Sequence, residues 1–289
     1  NGSVDSITKT VTVHPNPVMN FEAPDVCDGH TMHFTNLSTI TGGEIVSYLW
    51  DFDDNTNSLQ INPSKNYLNP GRYDVKLTGL SAKGCQSDTT KSVIIQENPV
   101  ANFSSQPACL GADVRFTNVS FHPSGINLTH SWYLNNYNFS VLENPVFLFD
   151  SAGLFPVKLV VTSDNGCRDS IINYAETFAL PAVSVTEDTT ITKGFGIQLH
   201  AAGGEKYVWY PSMGLSNPGS AHPFANPMET TQYTVTVTDK NGCEDQSEMT
   251  VNVIDEFRVI PNNIITPDNN GKNDTWIIKN IESYPDNEI

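Results

Sequence analysis

Basic residues are scarce in this sequence: 15 Lys and Arg stand against 32 Asp and Glu, for a formal net charge of −17. So acidic a chain repels phosphate backbones and anionic lipid surfaces, which argues against nucleic acid as a partner. Long apolar runs are missing too. None approaches the ~18 residues of a membrane-spanning helix, so no membrane insertion is expected. The opening "NGSVDSITKTVTV" has neither the basic nor the apolar region of an export signal; it reads as a hairpin turn and a strand, the expectation for an internal piece of something longer. Catalytic constellations are also lacking. The nearest approach to a nucleophile elbow, "GLSNPG" at Gly214 to Gly219, has the wrong Ser-to-Gly spacing. His30 and His33 form H-x-x-H, but on a strand positions i and i+3 face opposite sides. The remaining histidines are scattered, and the chain does not read as an enzyme.

Helical periodicity is hard to find as well. What recurs instead is short alternation of apolar and polar residues, as in "YDVKLTGL", "FPVKLVVTS" and "QYTVTVTD", between clusters of Gly, Pro, Asn and Asp. That pattern is all-β and sandwich-like. At 289 residues several small domains are expected rather than one large one.

Laid against itself, the chain shows a period of 82 residues: Pro17, Pro99 and Pro181 keep it (99 − 17, 181 − 99), as do Phe21 and Phe103, Cys27 and Cys109, Phe34 and Phe116, Trp50 and Trp132, and Cys85 and Cys167. A shorter third copy places Trp209, Tyr233 and Cys243 after Trp132, Phe155 and Cys167 by 77, 78 and 76 residues. Such self-similarity signals a tandem array. The expected division is 1–16, the last strand of a preceding domain; sandwiches at 17–98, 99–180 and 181–255; and a further domain beginning at 256–289. In each copy a Trp-bearing strand can fill the gap between two sheets, so Trp50, Trp132 and Trp209 read as core.

The segments "WDFDDN" (Trp50 to Asn55) and "NPGRYDVKLT" (Asn69 to Thr78) resemble the PKD domain family, an immunoglobulin-like sandwich with the pattern W-D-F-G-D-G followed by G-x-Y-x-V-x-L-x. The second copy, "WYLNNY", keeps Trp132 and loses the carboxylates; the third is similar to Ig-like repeats of surface proteins of Bacteroidetes. The resemblance implies tandem Ig-like β-sandwiches in a linear array. It also implies calcium at the acidic turn, where Asp51, Asp53, Asp54 and Asn55 offer four oxygen-bearing side chains, against the reading of a solvated strand-end turn. No other cofactor is expected. Asp268, Asn270 and Asp274 form a looser set of the same kind.

The end of the chain, "PNNIITPDNNGKNDTWIIKNIESYPDNEI", resembles the start of the gliding-motility-associated C-terminal domain, the type B signal of type 9 secretion. Thr266, Pro267, Gly271, Asn273, Asp274 and Trp276 carry the motif. This implies, as partners, the type 9 translocon with its outer-membrane shuttle or anchoring proteins, and an extracellular, cell-surface location. The tripeptides at Ser6, Thr89, Ser151, Ser170 and Thr189, each after an Asp, resemble the Bacteroidetes O-glycosylation signal.

An exported chain is expected to form disulfides. Equal spacing allows bridges inside each repeat, Cys27–Cys85 and Cys109–Cys167. In an immunoglobulin-like sandwich, however, Cys27 and Cys109 lie just before the second strand and Cys85, Cys167 and Cys243 in the last hairpin, at opposite poles. A six-residue strand spans roughly 20 Å, whereas a disulfide needs Cα atoms within about 7 Å. The alternative is therefore bridging between neighbouring repeats, Cys27–Cys167 and Cys109–Cys243, with Cys85 reaching toward a preceding domain. Two functions fit: the stalk and secretion-signal region of a cell-surface adhesin or gliding-motility protein, or spacer and carbohydrate-binding modules of a secreted hydrolase.

Overall fold

The structure, a computed structural model, describes residues 2, 4–134, 137–255, 260–261 and 278–279. It is built from β-strands, and the chain divides into two compact units. One comprises Asn1–Gln106, Val114–Phe147 and Leu154–Glu176; the other Pro107–Asp113, Leu148–Gly153 and Thr177–Ile289.

The first unit opens with short strands β1 (Phe21–Glu22), β2 (Val26–Cys27), β3 (Met32–His33) and β4 (Thr35–Asn36), followed by β5 (Ile45–Asp51), β6 (Asn57–Ser58), β7 (Ser64–Lys65), β8 (Gly71–Ser81) and β9 (Gln86–Gln96). The larger sheet has the order β2-β9-β8-β5-β6, and β1–β4 and β3–β7 form the facing layer. Alternation decides which side chains enter the gap. From β8, Val75 and Leu77 point inward, as do Val93 and Ile95 from β9, while Phe21, Met32 and Phe34 come from the facing layer. Trp50 fills the centre with no exposed surface. Its ring meets Phe21 edge-on at 5.1 Å and Phe34 at 5.4 Å between centroids, and its Nε1–H donates to the Gln60 carbonyl at 2.9 Å. That bond removes the penalty of burying an indole donor.

The strands of the second repeat in this unit are β10 (Phe103–Gln106), β12 (Val114–Asn118), β13 (Leu128–Leu134), β14 (Tyr137–Ser140), β15 (Val146–Phe147), β16 (Gly153–Ser163) and β17 (Arg168–Phe178), with β11 (Ala108–Cys109) falling to the other unit. They reproduce the first arrangement: β17-β16-β13-β14 in one sheet and β10-β12-β15 in the other. The register carries the 82-residue period, since Trp50 lies opposite Leu77 and Trp132 opposite Leu159. Trp132 again packs edge-on against a Phe, Phe103 at 4.9 Å, and donates to the Leu142 carbonyl at 2.8 Å.

In the second unit, Ala108 and Cys109 run parallel to Thr177 and Phe178. The third repeat follows with β18 (Ser184–Val185), β19 (Thr189–Thr192), β20 (Ile197–Gln198), β21 (Ala201–Ala202), β22 (Lys206–Tyr210), β23 (Phe224–Ala225), β24 (Thr231–Thr238) and β25 (Glu244–Ile254). One sheet has the order β19-β25-β24-β22, with β18–β21 and β20–β23 as separate pairs. Trp209 is buried and donates to the Ser220 carbonyl at 2.9 Å, in a core that also holds Leu199, Tyr233 and Met249. The fold is all-β, immunoglobulin-like sandwiches in tandem. A final antiparallel contact joins β26 (Ile260–Pro261) to β27 (Ile278–Lys279).

Candidate functional site

The same three-residue turn recurs between the last two long strands of every repeat: "SAKGC", "SDNGC" and "DKNGC". Gly84, Gly166 and Gly242 sit at φ 80°, 88° and 84°, the left-handed region that glycine enters without steric cost. Their N–H groups donate to the carbonyls of Ser81, Ser163 and Asp239, and the following cysteine closes each turn by accepting from those same residues' N–H groups at 2.9 Å. This is the hairpin of a type I turn completed by a left-handed glycine. It fixes Cys85, Cys167 and Cys243 at equivalent places.

Their partners come from the other strand type. Cys27 lies in β2, parallel to the end of β9 and opposite Gln96, and Cys109 lies in β11, parallel to the end of β17 and opposite Phe178. The two disulfides are Cys27–Cys167 and Cys109–Cys243, with Cα atoms 5.6 and 5.5 Å apart. Each joins one repeat to the hairpin of the next. The intradomain alternatives are not formed: Cys85 is a free thiol whose Sγ faces the His14 carbonyl at 3.7 Å. Beside the first bridge, in the same unit, polar contacts add to the tie. Asn165 donates to Gln96 at 2.9 Å, and Asn98 to the Asp28 carbonyl at 3.0 Å. His122 is buried, with Nε2 3.2 Å from the Glu97 carbonyl and Nδ1 accepting from the Ser124 N–H at 3.1 Å. The Ser124 hydroxyl bonds the Glu97 carboxylate.

The acidic turn is organised around protein partners. Asp51 accepts from the Asp53 N–H at 3.1 Å, and Asp53 from the Asp74 N–H at 3.0 Å. Asp54 accepts from the Thr56 N–H at 3.1 Å and pairs with Lys65 at 2.6 Å. Burial pushes the Asp54 carboxyl up, but the bonds from Lys65 and Thr56 and the Lys65 charge outweigh it, and the group lies below the ordinary carboxylate range. Asp53 and Asn55 adopt φ of 60° and 64°, at the two places where the PKD pattern has glycine. Asn and Asp are the non-glycine residues that tolerate this conformation best. No group of three or more His, Cys, Asp or Glu side chains that could hold a metal occurs among the described residues. Calcium takes six to eight oxygens, carbonyls and waters included; here one oxygen each of Asp51 and Asp53 accepts a backbone N–H, and Asp54 accepts from Thr56 and pairs with Lys65.

His30 and His33 are exposed and turned to different partners, His30 to the Asp28 carbonyl and His33 to the Ser64 hydroxyl. Ser216 of "GLSNPG" accepts the Phe224 N–H at 2.9 Å, a turn-closing role. Among the tripeptide positions, Ser6, Ser151 and Ser170 are exposed and Thr89 and Thr189 half-buried. The secretion motif of Thr266, Pro267, Gly271, Asn273, Asp274 and Trp276, and with it Asp268 and Asn270, lies outside the described residues. Sequence reading missed one pair: His200 and His222, scattered along the chain, meet in the segments that flank β20 and β23, with their Nδ1 atoms 3.1 Å apart.

The hairpin recurs in all three repeats, whereas the acidic turn after the Trp occurs only in the first. Residues 14–95 match the PKD domain family. The chain is 31% identical over 167 residues to the pre-pro-metalloprotease PrtV of Vibrio cholerae, covering 57% of this chain and 18% of that protein. It is 37% identical over 57 residues to collagenase ColA of Bacillus cereus, 6% of the latter's length. It therefore spans under a fifth of these curated relatives. Among solved structures, the PKD1 domain of Vibrio anguillarum Epp is similar at 35% identity, with 29% of this chain and 99% of that one covered and a TM-score of 0.28.

Proposed function

We propose that this chain is a non-catalytic spacer of a secreted multidomain protein, and that the protein is a protease with its catalytic domain elsewhere. The observation that carries the reading is the pair of disulfides joining each PKD-type repeat to the next, a device that restrains an array and contributes nothing to turnover. The relatives support the protease class, being named a pre-pro-metalloprotease and collagenases. Disulfides and these relatives together support an extracellular location. The proposed modules are 17–98, 99–180 and 181–255. Sequencing the gene on both sides tests the class directly: a protease domain agrees, and an unbroken run of further 82-residue repeats refutes it. Assayed alone, the purified chain should leave casein and collagen uncut.

The segment 256–289 favours a second reading, an adhesin-like surface protein exported by the type 9 system. Deleting everything after Asp255 from the complete protein should then retain it inside the cell envelope; normal export of the deletion would end that reading.

A further inference from the structure

The His200–His222 pair belongs to none of the features above. The two residues face each other in the antiparallel region where β20 pairs with β23, Ile197 opposite Ala225 and Gln198 opposite Phe224. Continuing that register sets Leu199 against Pro223 and Ala201 against Ala221, whose bonds are Leu199 N–H to the Pro223 carbonyl at 2.9 Å and Ala201 N–H to the Ala221 carbonyl at 2.8 Å. His200 and His222 thus occupy the intervening position, where no ladder bonds form and opposed side chains come closest. Leu199 and Pro223 point into the core, so both imidazoles emerge on the solvent side. Their backbones are held independently: the His200 N–H donates to the Thr186 hydroxyl at 2.8 Å and the His222 N–H to the Ser220 hydroxyl at 3.0 Å.

We propose that His200 and His222 form an open two-histidine site for a borderline divalent transition metal ion, of the class Cu²⁺, Ni²⁺ or Zn²⁺. The geometry is that of a chelate. With metal–nitrogen bonds of ~2.05 Å, Nδ1 atoms 3.1 Å apart subtend about 98° at the ion, between the ~90° of tetragonal and the ~109° of tetrahedral coordination. The ring centroids are 4.9 Å apart with planes inclined at 57°, so modest χ2 rotations turn both lone pairs to one point beside the N–N line. Without metal, one Nδ1 must carry a proton and donate to the other. On binding, that proton transfers to the Nε2 of its own ring, and both Nδ1 lone pairs are free for the ion with no net change in charge on the protein. No third His, Cys, Asp or Glu joins the pair among the described residues, so water completes the coordination. The all-nitrogen donor set rejects Ca²⁺ and Mg²⁺, which select oxygen.

The test is a calorimetric titration of the complete oxidised chain carrying Cys85→Ser, which removes the free thiol as a competing soft ligand, with Cu²⁺, Ni²⁺, Zn²⁺ and Ca²⁺ in turn. One transition-metal ion per chain is expected, Cu²⁺ bound tightest and Ca²⁺ not at all. Electron paramagnetic resonance of the Cu²⁺ form should show two nitrogen ligands. His200→Gln and His222→Gln should each weaken binding at least about tenfold, since losing even an outer-shell partner costs that much, while His30→Gln/His33→Gln leaves it unchanged. Melting curves of the metal-free variants check folding, and ¹⁵N spectra of the imidazoles check the site directly. Affinity unchanged in His200→Gln, loss of binding in the His30/His33 variant, or Nδ1 resonances of His200 and His222 that do not move with Zn²⁺ would each overturn the proposal.

Discussion

Pulling the chain by its two ends should reveal how the bridges route force. Without disulfides, the path from Cys27 to Cys243 runs through 216 residues (243 − 27), a limit of roughly 75 nm at ~3.5 Å per residue. The two bridges overlap, because Cys109 lies inside the Cys27–Cys167 loop and Cys167 inside the Cys109–Cys243 loop. Force therefore enters at Cys27, crosses to Cys167, returns backwards along the chain to Cys109 and crosses to Cys243. That route contains 58 residues (167 − 109), or roughly 20 nm. The staples hide about 55 nm of chain. Intradomain bridges, Cys27–Cys85 and Cys109–Cys167, would leave segments 85–109 and 167–243 in the path, about 100 residues and roughly 35 nm.

Single-molecule force spectroscopy separates the three cases. The oxidised chain, with handles at its termini, should extend to a limit of about 20 nm between these points when the repeats unfold, and to about 75 nm after reduction. Cys27→Ser alone should open the first loop and leave a path of 82 residues (109 − 27), roughly 30 nm. A limit of ~35 nm in the oxidised wild type would refute the pairing, and ~75 nm before reduction would refute the bridges altogether. Thermodynamically, a loop of 140 residues corresponds to about 5 kcal/mol of chain entropy in the polymer account. That is comparable with the whole stability of a small domain.

Other outcomes follow from single side chains. Trp50→Ala, Trp132→Ala and Trp209→Ala should each cost about 3–5 kcal/mol in denaturant unfolding, the first two also removing an edge-on contact to Phe21 or Phe103. Asn55→Gly should stabilise the first sandwich by a few tenths to ~1 kcal/mol by relieving a left-handed backbone; a loss of stability would show that the Asn side chain has a role of its own. Because the Asp54 carboxyl titrates below its ordinary value of 3.8, its contribution is complete above that value. It is lost as pH falls through the lower folded value, so Asp54→Asn should flatten the acid limb of the stability curve, and an unchanged limb would remove the Lys65 pairing as its source. Millimolar calcium should not move the melting transition of the chain; a rise would mean that the acidic turn rearranges to bind it, since binding to the folded state at a hundredfold excess over Kd is worth about 2.7 kcal/mol.

Periodic features were legible in the sequence because they repeat for packing reasons. A Trp that fills the same gap three times must keep its distance from the strand opposite, so Trp50 and Leu77, or Trp132 and Leu159, carry the register in their spacing. Cysteines were legible in the same way, once the poles of a sandwich were assigned. Pairings made by side chains with no periodic constraint were not. The approach of His200 to His222 depends on a cross-strand register set by Leu199 and Pro223, whose own spacing says nothing about imidazoles. The backbone role of the acidic turn was hidden for a different reason: four oxygen-bearing residues in a row look like a ligand set, and nothing in their order shows that two of them take left-handed backbone and that three accept backbone N–H groups.

The substitution of Asp53 and Asn55 for the two glycines of the PKD pattern ties that turn to the rest of the first sandwich. Glycine would hold the same backbone with less strain, but it could not accept the Asp74 N–H, as Asp53 does. Asp74 sits on β8 opposite Ser92 of β9, and its carboxylate is held by the Ser92 hydroxyl and Arg72. The Ser92 bond first, and Arg72 after it, keep that carboxyl below its ordinary range. A residue under conformational strain in the turn thereby anchors the turn to the long hairpin, whose open end, at Ile95 and Gln96, carries the parallel contact with Val26 and Cys27. The path from the turn to the staple runs through one continuous pair of strands.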